Sequence, residues 1–501
     1  MIQTNVALTL DGLFQRILAR QPDAPALFDP LNKVRITGQA PRRMTFAQAD
    51  RAISALAAHF VEAGLPVNSV IGVQLPNTIE FMLTVLAAHR AGLIVALLPQ
   101  LWRQAELTAA LNRISARAIV TSSKIDGVSH ADLAMNAAAE AFSIRHVCGF
   151  GEDLPEGMAS LDLALKTESS TERAVVQDGR KAALISFDVT TDGLRAVPRT
   201  HLNLIAGGLA VFLESRLPQG ARLMSAFAPS SFAGITSSLL LWLLSGGTLA
   251  LHHPYDGEVL ERQINDCACD TLVAPAAMAL RLTDADIGSR LPALRHVIGL
   301  WRMPEQVASS ALWTATQARF TDVYLFGEVG LFAAKRTGDG VPVPIKPGAH
   351  GAPRDVPGTA IAGETILTPK GTLALRGPMV TAAAYAPPTP PADSLITAHA
   401  PPDYADTGYA ARIDRSSGAI CITAPPSGIV SVGGYRFLSQ DLQEWAKRLG
   451  QGALLTALPD RLCGFRLAGR TQDNARGREA LTQLGLNPLM AEAFRDRTIV
   501  G

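Results

Sequence analysis

The chain has 501 residues, more than one hydrophobic core usually supports, so two or more domains are expected. Hydrophobic residues make up 48% of the chain and charged residues 18%, which is typical of a well-buried globular protein and excludes a largely disordered one. The formal net charge is +1 and no basic run is interleaved with aromatic residues, which argues against nucleic acid as a partner.

The first third of the chain alternates helical and strand patterns. Thr45 and Gln48 predict a capping box at the start of a helix that ends near Gly64. The following predicted elements are a strand over 70–75, a helix from an N-cap at Asn77 to Gly92, a strand over 93–98, a helix over 106–114 and a strand over 118–120. Strands separated by helices of this length predict a parallel sheet with right-handed crossovers.

The alternation continues through the middle of the chain and then changes to a β-rich pattern. Predicted elements here are a strand over 184–187 that leads into a polar loop, a helix from about 203, a helix over 238–244, and strands over 248–251, 272–275 and 296–299. Beyond about residue 350, short segments rich in Gly and Pro predict a β-rich subdomain that extends to 423, with a surface loop over 387–391.

The predicted fold class is therefore α/β, in two domains. A large N-terminal domain over 1–423 contains parallel-sheet α/β subdomains and the β-rich subdomain. A Pro-rich junction at 424–428 precedes a small, shortened α+β C-terminal domain over 424–501.

The cysteines and the apolar segments bear on the cellular compartment. The five cysteines are Cys148, Cys267, Cys269, Cys421 and Cys463. An odd, scattered set argues against a disulfide framework, and Cys267 and Cys269 lack a second ligand pair, so structural thiols are favoured over a metal site. The N-terminus has no signal-peptide pattern, and the most apolar stretch, 239–244, is too short to span a bilayer. A cytoplasmic protein without a membrane span is the expectation.

Seven short motifs follow one another along the chain in a recognisable order. They lie at 22–27 (PDAPAL), 44–46 (MTF), 75–78 (LPNT), 91–92 (AG), 371–385, 404–418 and 432–436. Together they resemble the adenylate-forming, AMP-binding superfamily of acyl-CoA synthetases, aryl-acid ligases and luciferases. Residues 101–103 and 145–151 look most like bacterial cyclohexanecarboxylate- or dihydroxybenzoate-type acid ligases. The resemblance implies a cyclic, aromatic or fatty carboxylic acid as substrate, ATP and Mg²⁺ as cofactors, and CoA among the acceptors.

The family's phosphate loop corresponds to residues 187–196. The resemblance implies that Thr190 and Thr191 bond phosphate oxygens, and that Arg195 supplies in catalysis the charge of the family's lysine. An ordinary polar strand-to-helix loop is the alternative interpretation.

Two glycines of that loop are replaced, by Val189 and Asp192. A β-branched residue resists the positive φ that glycine permits, and a carboxylate near a polyphosphate is repulsive. A register shifted by one residue would instead place Gly193 in the second glycine's slot.

The family's adenine and metal element corresponds to residues 324–328. The resemblance implies that Tyr324 stacks on adenine and that Glu328 acts in catalysis by binding Mg²⁺ through its carboxylate. Leu325 and Gly327 replace the family's glycine and threonine. A buried strand end with an incidental glutamate is the alternative.

The ribose anchor and the hinge differ from the family pattern. Tyr409 stands where relatives carry the aspartate that accepts both ribose hydroxyls, and Asp406 is the nearest substitute. The hinge at 424–427 lacks the family's arginine and contains two prolines that stiffen it. The family's C-terminal lysine has no counterpart before Gly501.

The resemblance also assigns the acid pocket and the CoA side. Phe232, Gly299 and Trp301 correspond to the acid pocket, where the large side chains are expected to narrow or fill the channel. Gly433 and Gly434 form the glycine turn of the C-terminal domain, expected on the CoA side.

Two functions remain open on these grounds. The first is a ligase that activates a carboxylic acid with ATP, but weakly; the intact order of the motifs favours it. The second is a catalytically dead family member that serves as a binding module for an acyl group or CoA ester, or as a partner subunit. The replaced loop glycines, ribose aspartate, hinge arginine, terminal lysine and pocket glycines favour it. A protein partner and a homo-oligomer are both compatible with the sequence.

Overall fold

The computed structural model describes residues 8–166, 178–284, 287–351, 361–381, 383–386, 404–460 and 462–495. The surface loop predicted over 387–391 lies outside these ranges. Two large sheets, two smaller antiparallel sheets and their connecting helices make up the described structure, together with a two-stranded ribbon formed by Lys124–Ile125 and Val128–Ser129.

The largest sheet has eight strands, of which the six central ones are parallel and the two edge strands antiparallel. In spatial order they are Gly330–Lys335, Arg319–Phe326, His296–Trp301, Thr271–Pro275, Arg222–Ser225, Thr248–Leu251, Pro25–Phe28 and Arg43–Thr45. These strands are almost continuously buried, as expected for a parallel sheet covered on both faces.

The second sheet has seven strands and is parallel except for one edge strand. Its strands are Gly193–Thr200, Ala182–Thr190, Ile94–Leu97, Val70–Gln74, Ala118–Ser122, His146–Phe150 and Ala159–Ser160. The predicted parallel α/β architecture is therefore confirmed.

Helices connect the strands of the two large sheets. The longer ones are Leu10–Leu18, Phe46–Glu62, Ile79–Arg90, Gln104–Ile114, His130–Glu140, His201–Ser215, Leu239–Ser245 and Gly257–Asp266. Shorter helical segments are Lys33–Thr37, Leu161–Ala164, Phe232–Ser237, Ala276–Leu280, Arg281–Asp284, Ile287–Arg290 and Pro304–Ser309. One hydrophobic cluster includes residues of both large sheets, so the two sheets share a core.

The centre of that core shows why these helices pack as they do. Helix Ile79–Arg90 is buried on every face up to His89, which suits a helix enclosed by other elements. The rings of Phe46 and Trp242 stack 5.6 Å apart. Lys33 is fully buried and donates to Asp29 and Glu80 at 2.8 and 2.6 Å, so its charge is compensated.

None of the described helices is both long and apolar enough to cross a bilayer.

Two antiparallel sheets follow in the last third of the chain. The first contains Gly348–Gly351, Ile361–Leu367, Thr372–Arg376, Ala405–Ile413 and Ile420–Ala424. The second contains Tyr435–Leu438, Ile429–Val432, Gly464–Arg470 and Leu454–Asp460, and packs with the helices Ser439–Arg448, Asn474–Gln483 and Pro488–Glu492 around its own hydrophobic cluster. We call this second unit the C-terminal lobe.

Two local predictions were wrong. Thr78, not Asn77, is the N-cap of helix Ile79–Arg90, because the Asn77 side chain donates instead to the carbonyls of Ser225 and His252. The segment after residue 187 is not a polar loop leading to a helix. It continues as an antiparallel hairpin, and the helix begins at His201.

Candidate functional site

A cleft lies where the carboxyl ends of strands from both large sheets face the C-terminal lobe. In parallel α/β sheets, ligands bind outside this edge. Two of the cavities that the described residues line in this cleft are named the inner and the outer cavity.

The inner cavity has a mixed apolar and polar lining and a volume of about 110 Å³. Its characteristic lining residues are Pro99, Trp102, Phe187, Phe227, Arg302 and Tyr435. The outer cavity, of about 330 Å³, brings together Thr190, Thr191, Arg195 and Asp406, four residues that the sequence predicted for nucleotide binding.

A wall of side chains separates the two cavities. Asp188, Val189, Glu328 and Arg436 line both of them. Arg436 comes from the C-terminal lobe and the other three come from the large sheets, so the lobe itself contributes to the wall.

Arg436 is the central residue of this wall. Its Nη1 donates to Asp188 Oδ1 at 2.8 Å, and its Nη2 donates to the Tyr409 hydroxyl oxygen at 2.7 Å. Only 14% of the Arg436 side chain and 8% of the Asp188 side chain are exposed. Burial alone would lower the pKa of Arg436, but Asp188 and Tyr409 hold that pKa above its usual value. The guanidinium is therefore a firmly charged, paired group.

Gly327 makes room for this ion pair. A Cβ added at Gly327 would lie 2.5 Å from Asp188 Oδ2 and would collide with Arg436 Nη1. The backbone there also has φ +57°, which favours glycine. The departures at Gly327 and Tyr409 thus share one structural reason, since each accommodates Arg436 beside Asp188.

The segment predicted as a phosphate loop is a tight β-hairpin. Asp188 pairs with Arg195 and Thr190 with Gly193 in antiparallel register. Thr190 Oγ1 donates to the Gly193 carbonyl at 3.3 Å and accepts from the Asp192 amide at 3.3 Å. The residues of this segment pair with each other in a ladder, so its backbone does not form an open loop around an anion. Gly193 occupies the turn with φ +94°.

Glu328 is buried beside the wall. Its Oε2 accepts from the Phe232 amide at 3.0 Å and lies 3.8 Å from Arg199 Nη1. Burial raises the pKa of Glu328, and the Arg199 guanidinium opposes that shift. A carboxylate that faces a guanidinium is poorly suited to hold Mg²⁺. Within the described residues, no three His, Cys, Asp or Glu side chains come together as a metal site.

Tyr324 lies away from both cavities' lining. Its ring packs against Phe332 at a centroid distance of 5.7 Å, and its hydroxyl donates to the Val343 carbonyl at 3.4 Å. The ring is 5% exposed, so it offers no open face for an adenine in this conformation.

The ribose-side residues are both engaged. Asp406 accepts from Thr372 Oγ1 at 2.9 Å and from the Gly408 amide at 2.8 Å. Tyr409 is 1% exposed, and burial raises its pKa. It therefore presents a neutral hydroxyl to Arg436 where relatives present a carboxylate.

The three residues predicted for the acid pocket lie behind the inner cavity's surface. The Phe232 ring packs against the Arg199 guanidinium, whose Cζ lies 3.8 Å from the ring centre. Trp301 Nε1 donates to Asp322 Oδ1 at 2.7 Å, and a Cβ on Gly299 would collide with Phe320. Trp301 thus does not fill the inner cavity, and the next residue, Arg302, reaches it instead.

Gly433 and Gly434 form the turn that docks on Arg302. Arg302 Nη1 donates to the Gly433 carbonyl, and a Cβ on Gly434 would lie 2.5 Å from Arg302 Cζ. The neighbouring Tyr435 hydroxyl accepts from the Leu101 amide at 3.1 Å. The turn of the C-terminal lobe therefore contacts both large sheets' connecting segments, at Arg302 and at Leu101.

Sequence reasoning missed four residues of this site: Asp188, Arg302, Tyr435 and Arg436. Tyr435 and Arg436 directly follow the glycine turn that the motifs identified, and this adjacency was the available signal. Nothing local to Asp188 or Arg302 indicates their partners in the C-terminal lobe.

The fold defines an α/β protein with a cleft between its two large sheets and a C-terminal lobe. The sequence model of the family described as AMP-binding enzyme matches residues 14–383. The chain belongs to this family, as the order of its motifs predicted.

Individual relatives are distant. The medium-chain fatty-acid–CoA ligase of Escherichia coli (strain K12) is 27% identical over 178 residues, which is 35% of this chain and 31% of that protein. The chain spans less than half the length of the curated relatives that it matches.

Solved structures share the fold along nearly the whole chain. The anthranilate CoA ligase AuaEII in complex with anthranoyl-AMP has a TM-score of 0.66 at 15% identity, over 96% of this chain and 90% of that one. The amide bond synthetase McbA from Marinactinospora thermotolerans has a TM-score of 0.67 at 16% identity, over 96% of this chain and 94% of that one. At these identities the likeness concerns the fold alone.

Proposed function

We propose that this chain holds a small carboxylic acid in the inner cavity of an adenylate-forming fold, and that ATP-dependent activation of that acid is suppressed. The observation that carries this proposal is the position of Arg436, which bonds Asp188 and Tyr409 in the wall between the two cavities.

The chemistry of the family explains why this position matters. Adenylation forms a bond between a carboxylate oxygen and the α-phosphorus of ATP while pyrophosphate leaves, so the two reactants must touch. An acid in the inner cavity and a nucleotide in the outer cavity are kept apart by the Asp188–Arg436 pair. Moving Arg436 out of the space between the two cavities would leave the Asp188 carboxylate buried without its partner, which is energetically costly.

The inner cavity supports a small acid as its ligand. Its lining combines aromatic rings and aliphatic groups with charged side chains and serine hydroxyls that can orient a ligand. The E. coli relative is a fatty-acid–CoA ligase and AuaEII is an anthranilate CoA ligase, so fatty and aromatic acids are both reasonable probes.

A weakly active ligase is the second candidate. Family membership implies use of ATP, usually with Mg²⁺, and Thr190, Thr191, Arg195 and Asp406 still converge on the outer cavity. This function requires a second conformation in which Arg436 leaves the wall. CoA would then be the acceptor, with the Gly433–Gly434 turn on its side of the cleft.

Calorimetry with the full chain separates the two candidates. We expect benzoate, cyclohexanecarboxylate or hexanoate to bind without ATP, and ATP·Mg²⁺ to bind no more tightly than about 1 mM, which corresponds to about −4 kcal/mol. Micromolar ATP·Mg²⁺ binding with acid-dependent pyrophosphate release would establish the second candidate. Failure of all three acids to bind would overturn the proposed acid site.

Arg436→Ala provides the internal comparison. If the chain is a suppressed ligase that keeps its chemistry, this variant should release pyrophosphate in the presence of an acid although the wild type does not. If the variant releases no pyrophosphate, the chain binds the acid but does not activate it with ATP. Arg476→Ala, an exposed arginine of the same lobe, is the matched control.

A further inference from the structure

Arg302 is a largely buried cation that lines the inner cavity. Three other arginines in and near the cleft have ionic partners: Arg199 faces Glu328, Arg336 contacts Asp322, and Arg436 contacts Asp188. Among the described residues, no carboxylate forms an ion pair with Arg302. Burial lowers the pKa of Arg302 to about 10, so the guanidinium still carries its charge at neutral pH.

The Arg302 guanidinium is held in a fixed position. Its Cζ lies 4.1 Å from the centre of the Phe227 ring, and its Nη1 donates to the Gly433 carbonyl. Gly434 allows the turn to lie directly on the guanidinium, because a side chain there would collide with Cζ. A guanidinium has five N–H donors, so the bond to Gly433 leaves donors for another acceptor.

The acidic residues that line the inner cavity are bonded to other groups, although Glu328 attracts Arg302 from a distance. Asp188 is committed to Arg436 and to the Glu328 amide, and Glu328 is committed to the Phe232 amide and Arg199. The inner cavity is therefore lined by apolar groups, serine hydroxyls, three charged side chains that are already paired, and Arg302, which forms no ion pair among the described residues. A buried charge without a partner is unfavourable, and an anionic ligand would remove that penalty.

We infer that Arg302 is a binding residue that anchors the carboxylate of the acid held in the inner cavity. This inference rests on the proposed function and narrows its ligand to a monoanionic acid with a small apolar body. The planar fork of the guanidinium suits a carboxylate, which can accept two parallel hydrogen bonds. The Trp102, Phe187 and Phe227 rings would then surround the apolar part of the acid.

The test compares acids with their uncharged amides. Benzoate and benzamide, and hexanoate and hexanamide, are titrated into the full-length wild type and into Arg302→Gln. We expect the wild type to prefer each acid over its amide at least tenfold. We expect Arg302→Gln to weaken acid binding by about 10- to 100-fold, the usual effect of losing hydrogen bonds to a charged group, and to abolish the preference.

Two further variants exclude a merely structural effect. Arg302→Lys keeps the charge and should retain part of the acid preference, although it lacks the fork geometry. Arg319→Gln removes an exposed arginine on a neighbouring strand and should leave both affinities unchanged. The thermal unfolding midpoint of each variant verifies that it is folded.

The outcomes distinguish this inference from the proposed function. A folded Arg302→Gln that binds acids as tightly as the wild type overturns the role of Arg302 but leaves the acid site. If the wild type binds benzamide as tightly as benzoate, the role of Arg302 as a carboxylate anchor is overturned without any variant. A wild type that binds no acid removes the proposed function itself.

Discussion

Arg436 Nη1 lies 2.8 Å from Asp188 Oδ1, although the two residues are 248 positions apart in the chain. This ion pair joins the C-terminal lobe to the hairpin at the edge of the seven-stranded sheet. It is also the contact that separates the inner cavity from the outer one.

The first prediction concerns the stability of this contact. Arg436→Ala leaves Asp188 largely buried without a partner, and we expect a loss of roughly 3–5 kcal/mol in the free energy of unfolding. Urea denaturation followed by circular dichroism measures this loss. The exposed control Arg476→Ala should change stability by less than about 0.5 kcal/mol. Equal effects of the two substitutions would show that the pair is not buried in solution.

The second prediction concerns the hydroxyl of Tyr409. Tyr409→Phe removes the acceptor that lies 2.7 Å from Arg436 Nη2 but preserves the ring, so we expect a loss of about 1.5–3 kcal/mol. In the Arg436→Ala background the same substitution should cost much less, because its partner is gone. A double-mutant cycle that returns no coupling energy would contradict the bond.

The third prediction compares two glycines with left-handed backbones. Gly327 and Gly193 have φ values of +57° and +94°, so alanine strains both by about 1–2 kcal/mol. At Gly193 the added Cβ meets nothing within 4 Å, whereas at Gly327 it would collide with the Asp188–Arg436 pair. We expect Gly327→Ala to cost about 1–3 kcal/mol more than Gly193→Ala, measured as urea midpoints. Equal losses of stability in the two variants would mean that the Asp188–Arg436 pair shifts to accommodate the added Cβ without a cost.

The fourth prediction concerns pH. Burial raises the pKa of Glu106 to about 7, although the carboxylate accepts hydrogen bonds from the amides of Arg103 and Asn487. Because the folded state holds this proton more tightly than the unfolded state, the stabilisation is full below the unfolded pKa near 4.5 and is lost as pH rises towards 7. The slope should approach about −1.4 kcal/mol per pH unit within that window.

Glu106→Gln should remove this contribution, since an amide does not titrate. The measurement is the free energy of unfolding of both proteins between pH 5 and pH 8, taken as a difference. Glu479→Gln, at an exposed position of the C-terminal lobe, should leave the pH slope in place. A slope that persists in Glu106→Gln would assign it to other groups.

Local sequence patterns predicted the regular elements well because those elements depend on neighbouring residues. The strand Thr248–Leu251 has the predicted bounds, and Thr45 and Gln48 form the predicted capping box. Asn77 had equally good local chemistry for an N-cap, but its side-chain amide donates to the carbonyls of Ser225 and His252, which are distant in the chain. Such long-range partners are invisible to a local pattern.

The same limit explains what was missed in the cleft. Gly327 and Tyr409 each look like an isolated departure from the family when read along the chain, and Asp188 gives no signal of its own. Their common reason is Arg436, which only the docked C-terminal lobe brings among them. The positions of Thr190, Thr191 and Arg195 were predictable because the family's phosphate loop specifies them one by one, whereas Asp406 was named only as the nearest substitute for the ribose aspartate.

The wall between the cavities has a consequence for how their occupants influence each other. Since Asp188, Glu328 and Arg436 have surfaces on both sides, a molecule that displaces Arg436 from one side reshapes the other. The two occupancies are then thermodynamically linked, and the coupling must be reciprocal: whatever one ligand does to the affinity of the second, the second does equally to the first.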